Sequence, residues 1–213
     1  SRGYFKQKFE TENLQDCSYE NFDLKQIEAL KKVFTQKNIS GLNVTTPYKR
    51  EVVPFLDRLS PTAKEMNAVN TIKFHHDGSI SGHNTDVYGF EKSLLEIINT
   101  LPKKALILGT GGASSAVAYV MKKLKIGFSY VSRSANENAI PYEAIDETVM
   151  NEYHLIINAS PVGTFPNIEA VPDLPYSLLT ENHILYDLIY NPPETGFLRE
   201  GKQRGCKILN GQK

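Results

Sequence analysis

Two ionisable residues stand in segments rich in amide and hydroxyl groups. Lys49 closes Asn43-Val44-Thr45-Thr46-Pro47-Tyr48-Lys49, and Asp86 closes Gly82-His83-Asn84-Thr85-Asp86. Asn70 and Thr71 lie between them in Asn67-Ala68-Val69-Asn70-Thr71. Singly, each has a plain reading: an exposed lysine at a helix start, an acid favoured by the dipole of a helix first turn, a turn asparagine. Together they put a cation, an anion and neutral donors and acceptors on loop ends. That set suits a polyhydroxylated, anionic small molecule.

A second group points to a nucleotide. Gly109-Thr110-Gly111-Gly112-Ala113-Ser114 follows the apolar run Ala105-Leu106-Ile107-Leu108 and precedes a helical pattern through Met121 and Leu124. In a dinucleotide loop the first glycine makes the tight turn, and the second lets backbone N–H groups approach a pyrophosphate at a helix N-terminus. Ser114 takes the place of the third glycine. An ordinary strand-to-helix turn with glycines is the competing reading. The next strand candidate, Phe128-Ser129-Tyr130-Val131, ends in Ser132-Arg133-Ser134. An NAD site usually carries Asp or Glu there. An arginine instead pairs with a 2′-phosphate and stacks on adenine, so the cofactor read here is NADP(H), unless Arg133 is merely solvated.

These residues need elements to hold them. Tyr4, Phe5, Phe9 and Leu14 have helical spacing, as do Leu24, Ile27, Leu30, Lys31 and Phe34. Residues 41–45 read as a short strand, 50–59 as a helix, and 69–74 with 79–82 as a hairpin closed by Asp77-Gly78. From Lys103 onward, strands at 105–108, 128–131, 155–157 and 184–186 alternate with helical stretches such as 143–150 and 196–203. That alternation predicts βαβ units and a parallel sheet. The expected fold is α/β with two domains. Residues 1–86 form a substrate-binding and catalytic domain, 87–102 a joining helix, and 103–213 a Rossmann-like, doubly wound NADP-binding domain.

Composition removes other classes. The chain has 213 residues with 24 basic and 24 acidic side chains, so no basic excess argues for nucleic acid or a membrane surface. No apolar run reaches the roughly 18 residues of a transmembrane helix, and the start shows no signal-peptide pattern. Cys17 and Cys206 are the two cysteines, too few for a disulfide framework. His75 and His76 lack further ligands at metal spacing, so no metal is expected. The reading is a soluble protein of a reducing compartment, the cytoplasm.

The motifs around Lys49, Asn70, Asp86 and Gly109 occur in an order and spacing that closely resemble the shikimate dehydrogenase family. Asn158-Ala159-Ser160-Pro161-Val162-Gly163 and Tyr186-Asp187-Leu188-Ile189-Tyr190 match later motifs of the same family. The resemblance implies NADPH-dependent, reversible reduction of 3-dehydroshikimate to shikimate by an oxidoreductase of aromatic amino-acid biosynthesis. It also implies a monomer or homodimer. By position, Lys49 matches the catalytic lysine and Asp86 its partner. Thr45 and Asn70 match residues that hold substrate hydroxyls. Residues 109–113 match the pyrophosphate loop, and Ser132 and Arg133 the 2′-phosphate segment. Leu188 and Tyr190 match the wall between nicotinamide and substrate, and Gly211 a glycine near the cofactor. Ser1 matches the second serine of a His-Ser-x-Ser motif that binds the substrate carboxylate. The family's opening strand before that serine, and its C-terminal helices after Gly211, are expected outside this sequence. Glu137 stands where a second basic residue often follows the arginine.

The implied mechanism pairs hydride transfer at the nicotinamide with proton transfer at the substrate oxygen. In the reductive direction Lys49, as ammonium, stabilises the developing alkoxide and donates the proton, while Asp86 positions it. A quinate- or NAD-using relative and a non-catalytic nucleotide-binding module are the alternatives left open by the residues.

Overall fold

The computed structural model describes residues 2–45, 47–98, 100–133 and 139–211. Among them, the first part of the chain carries α1 (Arg2–Thr11), α2 (Leu30–Phe34) and α3 (Pro61–Met66) beside β1 (Gly41–Asn43), β2 (Arg58–Leu59), β3 (Thr71–Phe74) and β4 (Ile80–His83). The strands form one sheet in the order β1-β3-β4-β2, with β3 and β4 antiparallel as a hairpin. At its tip the Ser79 Oγ and N–H donate to Asp77, and with Arg58 nearby they hold its carboxyl pKa down to about 2. One face of the sheet packs Val69 and Ile72 against Leu30 and Val33 of α2.

The expected helix over 50–59 does not form. Pro54 allows a single 3-10 turn at Val53–Phe55, after which Leu56 returns to extended backbone. Arg58 and Leu59 then pair in parallel with Ser81 and Gly82. The strand expected over 41–45 stops at Asn43. Helix α3 is not visible in the periodicity, although its start is conventional: Pro61 fills the first turn and the Ser60 Oγ accepts from the Ala63 N–H at 3.2 Å.

Helix α4 (Asp86–Ile97) spans the two halves. Its Val87, Phe90 and Leu94 share one core with Met66 and Ala68 on one side, and with Ala116, Val117, Val120 and Tyr186 on the other. Phe90 meets the Tyr186 ring edge-on at 4.9 Å, and the Ser93 and Tyr186 hydroxyls are 2.5 Å apart.

The remainder is a parallel sheet of β5 (Lys104–Leu108), β6 (Gly127–Ser132), β7 (Ala139–Pro141), β8 (Leu155–Asn158), β9 (Ile184–Asp187) and β10 (Lys207–Asn210). Helices α5 (Gly112–Lys123), α6 (Glu147–Glu152) and α7 (Gly196–Gln203) accompany it. The order β10-β9-β8-β5-β6-β7 is that of a doubly wound dinucleotide fold. Burial on both faces explains the uninterrupted apolar runs: Ala105 and Ile107 pack into the core shared with α4, whereas Leu106 and Leu108 pack into the opposite one. The helix expected over 143–150 begins only at Glu147, after a 3-10 turn at Tyr142–Ala144. The short edge strands β7 and β10 lie outside the expected set. No described helix is long and apolar enough to cross a membrane.

Candidate active site

Backbone pairing brings three loop ends together at Asn70. The Val44 N–H donates to the Asn70 carbonyl at 2.8 Å, and the Asn70 N–H donates to the His83 carbonyl at 3.0 Å. The Val69 N–H donates to the Lys49 carbonyl at 2.7 Å. The loops after β1, before β3 and after β4 are therefore stitched at one point. Their side chains converge in consequence.

Lys49 Nζ donates to Asp86 Oδ2 at 2.6 Å, and Asn70 Nδ2 donates to Asp86 Oδ1 at 2.7 Å. Asn70 Oδ1 accepts from the Thr85 N–H at 2.9 Å, which orients the amide. Asn84 Oδ1 accepts from the Asp86 N–H at 3.1 Å and its Nδ2 donates to the Ala68 carbonyl, fixing the entry to α4. The side chains of Lys49 and Asp86 keep 33% and 43% of their accessible surface. A pair this exposed contributes only about 0–1 kcal/mol to stability. It is open to a ligand, with ammonium protons and carboxylate lone pairs to spare. Thr45 is exposed, four residues before Lys49. Thr85 and Asn84 stand inside a recognised motif, yet nothing in the sequence distinguishes their parts.

The second cluster lies at the C-terminal edge of the parallel sheet, where strand order reverses between β5 and β8. The Ala159 N–H donates to the Leu108 carbonyl at 3.0 Å, so the loops after these strands run side by side. Gly109 has φ +102°, and a Cβ there would press on Ala159 and Ser160 of the neighbouring loop. A Cβ on Gly111 or Gly112 would meet nothing within 4 Å. Gly111 caps α5 without a side-chain acceptor, so no cap side chain takes up the first-turn amides. Thr110 and Ala113 are exposed beside it. This cradle fits a pyrophosphate. Ser114 is fully buried, consistent with the close packing its place demands, and its hydroxyl has no hydrogen-bond partner among the described residues.

Ser132 is half-buried at the end of β6 and Arg133 is exposed just beyond it. The Arg133 charge reaches Tyr142, whose phenol pKa burial pushes up and the guanidinium pulls back. Along the same edge, on the other side of β5, the Leu188 N–H donates to the Asn158 carbonyl at 3.0 Å. A Cβ on Gly211 would lie 2.8 Å from the Leu188 carbonyl oxygen, so only glycine lets these backbones touch. Tyr190 is 64% exposed. Ser1 and Glu137 lie outside the described residues.

Known proteins resemble this chain over most of its length. Residues 1–72 match the model of the shikimate dehydrogenase substrate binding domain. The shikimate dehydrogenase (NADP(+)) of Desulforamulus reducens is 38% identical over 194 residues, which are 82% of this chain and 66% of that protein. That of Methanosphaera stadtmanae is 33% identical over 216 residues, 92% of this chain and 76% of the relative. The crystal structure of shikimate 5-dehydrogenase from Thermus thermophilus, in complex with NADP(H) and shikimate, superposes with a TM-score of 0.79. It shares 33% identity and is matched over 95% of this chain and 78% of its own. With both sets of motifs in place on the two sheets, the chain belongs to the shikimate dehydrogenase family.

Proposed function

We propose that this protein is an NADP-dependent shikimate dehydrogenase, interconverting 3-dehydroshikimate and shikimate. The observation that carries the reading is the Lys49–Asp86 contact, bridged by Asn70, on a chain of this family. Residues 1–86 serve as the substrate-binding part, 87–102 as the joining helix, and 103–213 as the NADP-binding part.

The cradle at 109–113 suits the pyrophosphate of NADP(H), with Ser132 and Arg133 for the 2′-phosphate and Leu188 and Gly211 beside the nicotinamide. When bound, the nicotinamide supplies or accepts the hydride. The chain's own residues handle oxygen and proton. Lys49 Nζ, as ammonium, faces the oxygen of the carbonyl whose carbon takes the hydride, stabilises the charge developing on that oxygen and gives it a proton. Asp86 Oδ2 keeps Nζ aimed, and its free lone pairs accept from a substrate hydroxyl. Thr45 and Asn70 hold the remaining hydroxyls, and Tyr190 closes the pocket against substrate.

The experiment is a comparison of initial rates with shikimate and quinate, each with NADP⁺ and NAD⁺. Turnover led by the shikimate–NADP⁺ pair is expected. Preference for quinate or NAD⁺ overturns the substrate or cofactor assignment, and a folded protein inert with all four pairs overturns the enzyme assignment.

A further inference from the structure

Asp187, at the C-terminal end of β9, is fully buried. Its Oδ2 accepts from Thr195 Oγ1 at 2.6 Å. Its Oδ1 accepts from the Ile189 N–H at 3.0 Å and from Asn158 Nδ2 at 3.1 Å. No cation among the described residues offsets the charge; burial pushes its pKa up, and these three hydrogen bonds pull it back. A buried carboxylate without a counter-ion is expensive to keep, so what it holds in place matters.

Each donor belongs to a different segment. Asn158 opens the 158–163 loop and is fully engaged: Nδ2 also donates to the Val162 carbonyl at 3.1 Å, and Oδ1 accepts from the Ser160 N–H at 3.1 Å and Oγ at 2.7 Å. Ile189 sits between Leu188 and Tyr190. Thr195 caps α7, its Oγ1 accepting from the Leu198 N–H. A Cβ on Gly163 would lie 3.6 Å from Ile189 and 3.7 Å from Thr195, so the three segments run close together here.

We infer that Asp187 is a positioning residue, whose carboxylate locks the 158–163 loop, the 188–190 segment and the start of α7 into one wall that registers the nicotinamide against substrate. This rests on the proposed function. An amide reproduces only part of this pattern. Two of the three groups facing the carboxylate are N–H donors only, so an Asn NH₂ would either confront the Ile189 and Asn158 N–H groups or turn to Thr195 Oγ1, which can accept but then loses the acceptor for its own proton. Displacement of reacting atoms by about 1 Å can cost roughly 10²-fold in rate. The cradle adjoins this wall through the Ala159 N–H, which donates to the Leu108 carbonyl. The 2′-phosphate segment at Ser132 and Arg133, however, ends β6, on the far side of β5 from the wall, so binding there is expected to be spared.

The test separates wall from cradle in the intact protein. Asp187→Asn is expected to lower kcat by about 10–100-fold, leave the Kd of adenosine 2′,5′-bisphosphate unchanged, and weaken NADP⁺ relative to that fragment. Amide hydrogen exchange should quicken at Leu188 and Ile189 but not in β5. Thr195→Val should repeat the pattern more weakly, and Thr195→Ser should recover it. This pair carries the comparison if Asp187→Asn does not fold. Normal kcat with unchanged exchange at 188–189 overturns the inference, as does a bisphosphate affinity that falls in step with kcat. If the unmodified protein proves inert toward shikimate, the functional reading fails instead. Exchange and the NADP⁺-to-bisphosphate affinity ratio then decide the positioning role alone, and an unaltered ratio and exchange overturn it.

Discussion

Asp86 and Asp187 are both aspartates at the C-terminal ends of motifs or strands, and their surroundings are opposite. Asp86 is 43% exposed at its side chain and meets Lys49. Asp187 is fully buried and meets donors that carry no charge. An exposed carboxylate with a cation beside it can take up a ligand and trade hydrogen bonds at little cost. A buried one with both oxygens held by fixed donors cannot move without breaking contacts to the loops it joins. Under the proposed function, the difference puts chemistry on the small sheet and geometry on the parallel one.

That division can be broken most severely at Asp86. Asp86→Asn should lower kcat by about 10²-fold, near the lower end for a group acting in proton transfer, and should also raise the KM for shikimate. On the proposed function Lys49 and Asp86 act as a unit, so the Lys49→Ala, Asp86→Asn double variant should be little slower than the slower single one. Additive losses would separate the two residues.

Arg133 sharpens the comparison on the cofactor side. A charge-assisted hydrogen bond is worth about 1.5–3 kcal/mol, or roughly one to two decades of affinity. Arg133→Ala should raise the KM for NADPH by that factor, spare NADH, and lose part of its effect at high salt. Equal losses for both cofactors would make Arg133 a support of the loop.

Smaller effects concern the frame. His183 is 2% exposed; its Nδ1 accepts from the Thr180 N–H at 3.0 Å and its Nε2 donates to the Met150 carbonyl at 3.0 Å. Burial pushes its pKa below the ordinary histidine value. The unfolded chain therefore binds this proton first, so stability present above about pH 6.5 declines as pH falls and levels off below the folded pKa. Urea melts across that range should show the decline, and His183→Gln should flatten it. Smallest of all, Ser114→Ala removes a buried hydroxyl without a partner among the described residues. It should leave stability unchanged or raise it by up to about 1 kcal/mol, with a loss of that size contradicting the reading of the hydroxyl as unsatisfied.

Legibility followed chemistry more closely than geometry. Strands β5, β8 and β9 can be read because burial on both faces leaves an apolar run, and the half-buried β6 because Phe128, Tyr130 and Val131 mark it. The short β7 and β10 cannot, since Lys207-Ile208-Leu209-Asn210 carries only two apolar residues. The 50–59 segment has helical composition, but Arg58 and Leu59 gain sheet partners 23 residues downstream that no local pattern reveals. Lys49, Asn70 and Asp86 stand out as residue types, whereas Asn84 and Thr85 act through hydrogen bonds visible only once the loops meet. In the sequence Asp187 is one letter of a motif. Its part depends on burial and on donors from three segments, which no local pattern brings together.

The most direct measurement is the single-turnover rate of NADPH oxidation by 3-dehydroshikimate, at saturating cofactor, in the unmodified protein and in Lys49→Ala. Saturation removes differences in cofactor binding and leaves the step in which Nζ stabilises the oxygen. The unmodified protein should complete the turnover, and the variant should be slower by about 10²–10⁴-fold with unaltered NADPH affinity. Equal rates in the two proteins would make Lys49 a structural residue and would contradict the assignment of the chemistry to the Lys49–Asp86 pair.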